Sequence, residues 1–158
     1  MATATTGLDR REQAPEEPEL VTLSLEEMGP LGDTMAPFEG GRINVAGGIP
    51  GEEVVAQIVR YRRRKQRHVS GIVADVLKPS PYRVSTPCPY FGPCSGCQWQ
   101  HIDYSHQLEL KRDAIRGELE AYEAVLGTAV SDTVPAPDQF GYRNHARFTV
   151  RHSGKLGF

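Results

Sequence analysis

The sequence has no apolar run approaching the roughly 20 residues that a bilayer-spanning helix needs, and its first residues lack the apolar core of a signal peptide. Those two absences make the cytoplasm the expected compartment, with no membrane partner. An excess of positive charge is also missing. The 18 Lys+Arg stand against 20 Asp+Glu, a formal net charge of −2, so only the distribution of charge can argue for a polyanionic partner. Cysteine is scarce as well. All three, Cys88, Cys94 and Cys97, fall in one short segment, an odd count in a poor layout for a disulfide framework. Metal or cluster ligation in a reducing compartment is the better use for them. What is present is globular in composition, with 39% hydrophobic and 24% charged residues. The 158 residues suffice for one ordinary domain or two small ones.

Residues 1–18 mix Ala, Thr, Glu, Gln and Pro without periodicity and are expected to be a disordered tail. From about Leu20 the texture changes to short apolar segments divided by glycine and proline. Val21, Leu23 and Leu25 mark a first strand, residues 34–38 a second, and Ile43 with Val45 a third. The turn GGIPGEE at 47–53 leads into a fourth strand at 54–60, with Val55, Gln57 and Val59 on one face. A fifth runs over 69–77, before Pro79 and Pro81 stop it. Five short strands without a long helix predict a mainly β fold, an OB-like barrel over residues 19–80, with an SH3-like barrel as the neighbouring possibility.

Beyond the cysteines the pattern turns helical. Leu108, Ile115, Leu119, Tyr122 and Leu126 recur at helical spacing, with Ser105 as the expected N-cap and Gly127 as the C-cap signal. A helix docked on a core accounts for the stripe. After a linker rich in Ala, Pro and Asp, residues 146, 148 and 150 alternate with polar neighbours. A turn at 152–154 then leads to Leu156 and Phe158. The expected architecture over 81–158 is a partial α+β unit carrying the cysteine loop, and the end inside a hairpin strand suggests a truncated reading frame.

The strongest local signal is CPYFGPCSGC at 88–97, a C-x5-C-x2-C arrangement of soft ligands suited to an iron-sulfur cluster or zinc. Three thiolates leave a four-iron cluster one ligand short. Zinc would be completed by His101 in a Cys3His site. The second signal is RYRRRKQRH at 60–68. It gathers Arg60, Arg62, Arg63, Arg64, Lys65 and Arg67 at a turn between two barrel strands. Such a run supplies phosphate contacts, which give affinity without sequence information, although a solvated basic hairpin tip reads the same way. Tyr61 could stack on a base or pack into the barrel. Trp99 is expected to cover the cysteine loop, and Gln100 to hold the loop backbone.

Several of these segments together resemble the RNA uracil-5 methyltransferases that carry an N-terminal TRAM domain. They are the strand start near Leu20, the Pro-Gly-Glu turn, SPYRV ahead of Cys88, CPYFGPCSGCQWQH, the helix start at 107–111, and YRNHARFTVR followed by GKLGF. The resemblance covers nearly everything from residue 20 onward, and the cysteine segment is its specific part. It implies an RNA-binding OB-fold TRAM domain and a [4Fe-4S] cluster held by four cysteines. Three of these map onto Cys88, Cys94 and Cys97, and the fourth lies farther along. Ser95 stands where many relatives have glycine. Methyl transfer in the family belongs to a C-terminal domain that binds S-adenosylmethionine and carries a cysteine nucleophile. No glycine-rich strand-turn-helix for that cofactor occurs here, and the three cysteines are already committed, so no catalytic residue is expected in this chain. The intact product is expected to be a monomer that methylates ribosomal or transfer RNA. The alternative is a free-standing RNA-binding adaptor with a zinc-stabilised tail.

Overall fold

The computed structural model describes residues 17–150, apart from 64 and 95, together with 152 and 154–157; the side chains of Arg63 and Glu123 are outside that description. Most of the expected tail, as far as residue 16, lies outside the described residues, as do Arg64, Ser95 and Phe158.

Six strands form one sheet: β1 (Leu20–Ser24), β2 (Glu27–Met28), β3 (Thr34–Phe38), β4 (Gly41–Ala46), β5 (Glu53–Arg63) and β6 (Gln66–Lys78). Their order in the sheet is β1-β5-β6-β4-β3-β2. The two edge strands are halves of one bent segment. β1 pairs with β5, and only Leu25 and Glu26 separate it from β2, which pairs with β3. The backbone of that bend is held as well, because the Leu25 N–H donates to the Glu52 carbonyl and the Glu26 N–H to the Met35 carbonyl, both at 2.9 Å. The sheet therefore curls into a half-barrel, and the mainly β, OB-like expectation is borne out.

Local sequence explains the turns. β3 and β4 join through Glu39 and Gly40, both at positive φ (47° and 76°), the backbone of a two-residue hairpin loop. Pro37 sits in β3 where the strand has β4 on one side only, since β2 pairs no farther than Met35. β4 and β6 run parallel, Val45 opposite Gly71. A Cβ at Gly71 would lie 3.2 Å from Val45 Cγ2 and 3.5 Å from Ala56 Cβ, so the missing side chain lets the layers approach.

The core is built from Leu23, Leu25, Ala36, Ile43, Val45, Val54, Ala56 and Ile58. On β5 the buried face is thus the one carrying Val54, Ala56 and Ile58, while Val55, Gln57 and Val59 occupy the outer face. β5 and β6 are also longer than expected, at 11 and 13 residues. Their ladder continues through the charged segment to Arg63↔Gln66 after the apolar alternation has ended. β1 accompanies β5 only between Gln57 and Glu53, and β4 accompanies β6 only between Ser70 and Ile72. The outer part of the hairpin therefore projects as a two-stranded arm.

The helix α1 (Tyr104–Glu120) starts one residue before the expected cap and ends earlier than expected. Its N-cap is Asp103, whose carboxylate accepts from the Ser105 N–H at 3.0 Å, so Ser105 is the recipient of the cap. A 3-10 turn (Glu123–Val125) follows, and Gly127, at φ 82°, lies beyond it. The apolar stripe is not docked as expected. No helix residue is buried: Leu108 and Leu119 are half-buried, and Ile115, Tyr122 and Leu126 are exposed. The hairpin near the end of the chain does form, β7 (Thr149–Val150) against β8 (Leu156–Gly157), with both strands exposed. Among the described residues no helix is long and apolar enough to cross a membrane.

Candidate nucleic-acid interface and cysteine loop

The basic run occupies the arm. Pairing in the antiparallel ladder sets Tyr61 opposite His68, Arg62 opposite Arg67 and Arg63 opposite Gln66, with Lys65 in the loop at φ 68°. Arg62 and Arg67 are like charges directly across from each other, an arrangement that costs stability unless a counter-charge is supplied. Among the described residues neither has a carboxylate partner. Arg60 differs. Its Nε and Nη2 donate to Glu19 (3.1 and 3.0 Å), its Nη2 and Nη1 to Glu39 (2.7 and 3.2 Å), and its guanidinium lies 5.7 Å from the Phe38 ring centroid. Its hydrogen bonds to Glu19 and then Glu39 raise its pKa further above the ordinary value. Arg60 is therefore already engaged at the base of the arm, whereas Arg62, Lys65 and Arg67 are exposed and open to an external anion. Tyr61 does not enter the barrel. It is 46% exposed and stacks on His68, ring centroids 5.3 Å apart and planes 15° from parallel. Arg60, Tyr61, Arg62, Arg67, His68 and Val69 together line one shallow groove of about 610 Å³.

The cysteine segment leaves the barrel and returns through a short antiparallel contact. The Val84 N–H donates to the His101 carbonyl, the Asp103 N–H to the Tyr82 carbonyl, and Arg83 faces Ile102. Each foot of this loop is bolted to the barrel. At one foot Arg83 Nε and Nη2 each lie 2.6 Å from a different oxygen of the fully buried Glu52 carboxylate. The same carboxylate accepts the Ile49 and Ser80 N–H groups, and Arg83 Nη2 also donates to the Gly47 carbonyl. At the other foot Trp99 Nε1 donates to the Gly32 carbonyl at 2.7 Å, and Gln98 Nε2 to the Leu31 carbonyl at 3.1 Å. Trp99 thus fastens the loop to the β2–β3 turn. Gln107 on α1 donates to the Trp99 and Ile102 carbonyls, the bracing expected of Gln100, whose own Oε1 is buried without a partner.

Within the loop the Phe91 N–H donates to the Cys88 carbonyl, the Cys94 N–H to the Tyr90 carbonyl, and the Gly96 N–H to Cys94 Sγ at 3.4 Å. Gly92, at φ 95°, supplies the tight turn. Cys88 and Cys94 are half-buried and Cys97 is exposed, all three as free thiols. In kind the donor set fits an iron-sulfur cluster: soft sulfur ligands on one turn, one already accepting a backbone N–H. The thiols are not drawn together, however, since among the described residues no three His, Cys, Asp or Glu side chains are gathered as a metal centre. His101, the fourth ligand of the zinc alternative, serves the barrel. It is 3% exposed, its Nε2 donates to the Gly48 carbonyl at 3.2 Å, and its ring leans on Phe91. Burial lowers its pKa and keeps it neutral, with Nδ1 as a buried lone pair without a partner.

Two residues that hold the site together carry no signal of their role in the sequence. Glu52 lies in the Pro-Gly-Glu turn and Arg83 in SPYRV, two of the segments that carry the resemblance, but nothing local announces that residues 31 positions apart form a buried pair.

No family model matches the chain. Individual relatives do. An "uncharacterized RNA methyltransferase" of Caldanaerobacter subterraneus is 35% identical over 131 residues, 83% of this chain and 28% of the relative. A protein of the same description from Gloeobacter violaceus is 36% identical over 131 residues, 82% of this chain and 28% of the relative. Another from Listeria monocytogenes is 36% identical over 141 residues, 88% of this chain and 30% of the relative. The chain spans under a third of the length of these curated relatives. With more than four-fifths of its own length aligned in each case, the chain is similar to a segment of proteins described as RNA methyltransferases.

Proposed function

We propose that this chain is the RNA-gripping and cluster-holding portion of an S-adenosylmethionine-dependent RNA (uracil-5-)-methyltransferase acting on ribosomal or transfer RNA. Residues 19–80 form its TRAM domain, and residues 81–158 begin the domain that carries the cluster. The observation that carries the reading is the arm: a projecting hairpin whose opposed arginines, Arg62 and Arg67, lack any carboxylate partner among the described residues, on a chain similar to RNA methyltransferases. An RNA phosphate is the counter-charge that relieves their repulsion. Arg63, Arg64 and Lys65 belong to the same basic run of the sequence. Arg60 sets the angle of the arm through Glu19 and Glu39.

Cys88, Cys94 and Cys97 hold the [4Fe-4S] cluster, with a fourth sulfur contributed from outside this chain. When bound, such a cluster cross-links the loop and presents it beside the RNA. The chain's own residues do the positioning, because the Glu52–Arg83 pair and the Trp99–Gly32 hydrogen bond fix both feet of the loop on the barrel. Methyl transfer and S-adenosylmethionine binding belong to parts of the enzyme that this chain does not match.

Anaerobic purification of the gene product as encoded in its genome is expected to yield iron and acid-labile sulfide, both lost when Cys88, Cys94 and Cys97 are changed to serine. Zinc without sulfide would reject the cluster and favour the adaptor reading. For the arm, Arg62→Ala with Arg67→Ala is expected to weaken RNA binding and to lower the slope of log K against log salt by about 0.7–0.9 for each phosphate that is no longer neutralised. An unchanged slope would remove the arm from RNA binding.

A further inference from the structure

Phosphate binding does not account for the other face of the arm. Tyr61 and His68 are directly opposed and stacked, yet they bury no part of the barrel core, and nearly half of Tyr61 remains open to solvent. Barrel packing therefore gives this tyrosine no task. The next rung of the ladder is the opposed Arg62 and Arg67, and all four residues border one groove. An aromatic surface backed by a second ring, with a cross-strand pair of cations on the next rung, is what a stacked base and its adjacent phosphate require.

We infer that the arm is a single-strand clamp, in which one unpaired nucleobase of RNA stacks on Tyr61, His68 supports the ring from behind, and the Arg62–Arg67 pair on the next rung holds the adjacent phosphate. The inference rests on the RNA-binding reading and narrows it. A double helix keeps its base faces stacked inside, so a duplex meets only the arginines, whereas a loop or bulge can offer a base to the tyrosine. The arm thus selects unpaired RNA through the ring and gains sequence-independent affinity through the cations.

The test uses the full chain with three probes: a 12-nucleotide oligouridylate, the same oligomer carrying abasic sites, and a 12-base-pair RNA duplex. Tyr61→Ala is expected to weaken oligouridylate binding by about 5- to 150-fold, the range for removing one base stack, with an unchanged salt slope and unchanged duplex binding. The abasic oligomer should bind the wild type as weakly as the variant binds the intact oligomer, and combining the two changes should add little. Tyr61→Phe should retain wild-type affinity because the ring is kept. Equal loss for duplex and single strand in Tyr61→Ala, or no loss for either, overturns the clamp while leaving RNA binding by the arm in place. A wild-type chain that binds none of the three probes overturns the RNA-binding reading itself.

Discussion

Arg83→Ala is expected to lower the unfolding free energy by about 3–5 kcal/mol, the cost of leaving a buried carboxylate without its counter-charge. Glu52 is fully buried and receives two 2.6 Å hydrogen bonds from that guanidinium. Urea denaturation followed by the fluorescence of Trp99, the chain's single tryptophan, would read the loss directly. A deficit below about 1 kcal/mol, the scale of an exposed ion pair, would mean that the pair is not buried in solution. The effect also has a pH signature. Burial pushes the Glu52 carboxyl up, but the hydrogen bonds from Arg83, Ser80 and Ile49 outweigh it and hold it below the ordinary 4.5. A folded-state value below the unfolded one means that Glu52 stabilises the wild type above pH 4.5 and loses that contribution as the pH falls through the folded value. His101 behaves in the same sense from a higher starting point: burial holds its folded value below 6.5, so its contribution is present above pH 6.5 and is lost as the pH falls through the folded value. In Arg83→Ala only the upward push of burial on Glu52 remains dominant. Protonation then relieves the buried charge, and the gap between wild type and variant is expected to narrow as the pH is lowered from 7 to 4.

Gly48→Ala is expected to cost about 3 kcal/mol, at the upper end of the range for overpacked cores. A Cβ there would stand 2.1 Å from Leu25 Cδ1 and 2.7 Å from Thr34 Oγ1. Leu25 is 2% exposed, and the Thr34 hydroxyl already donates to the Val45 carbonyl at 2.9 Å, so neither can retreat without opening the core or breaking that bond. The glycine carbonyl is also the acceptor for His101, and displacing this backbone would unseat the second foot of the cysteine loop. Thermal unfolding of the variant measures the first effect, and the emission maximum of Trp99 the second. A variant as stable as the wild type would show that the Leu25 side chain has room to turn away.

The strands were legible because β-branched residues alternate in short runs bounded by glycine and proline; residues 34–38 are marked in the sequence and form β3 with the same bounds. The outward placement of Val55, Gln57 and Val59 was not, since Val59 and Val55 are as apolar as the Val54 and Ile58 that fill the core, and only the curl of the sheet decides between the faces. The helix was visible from its periodicity, but two adjacent capping candidates, Asp103 and Ser105, leave its start ambiguous until the hydrogen bond is seen. In the site, the crowding of cations at 60–67 and of thiols at 88–97 is local and easily found. The fate of Arg60 is not, because its partners Glu19 and Glu39 lie 41 and 21 residues away. The Tyr61–His68 stack left a trace: the two residues stand equidistant from the two-residue loop of the hairpin, the condition for being cross-strand neighbours.

The parallel pairing of β4 with β6 has a consequence for how the molecule comes into being. β4 is finished at Ala46, but the strand that covers its flank begins only at Gln66 and must first turn back from β5. On the ribosome, the early β3–β4 hairpin emerges with one side bare, while the β5–β6 hairpin can zip locally once it is out. Sequence-distant closure of this kind is slow compared with hairpin formation. Translation must therefore proceed past Ile72 before the nascent sheet can shut, and a ribosome paused between Ala46 and Gln66 would expose an apolar strand edge to chaperones.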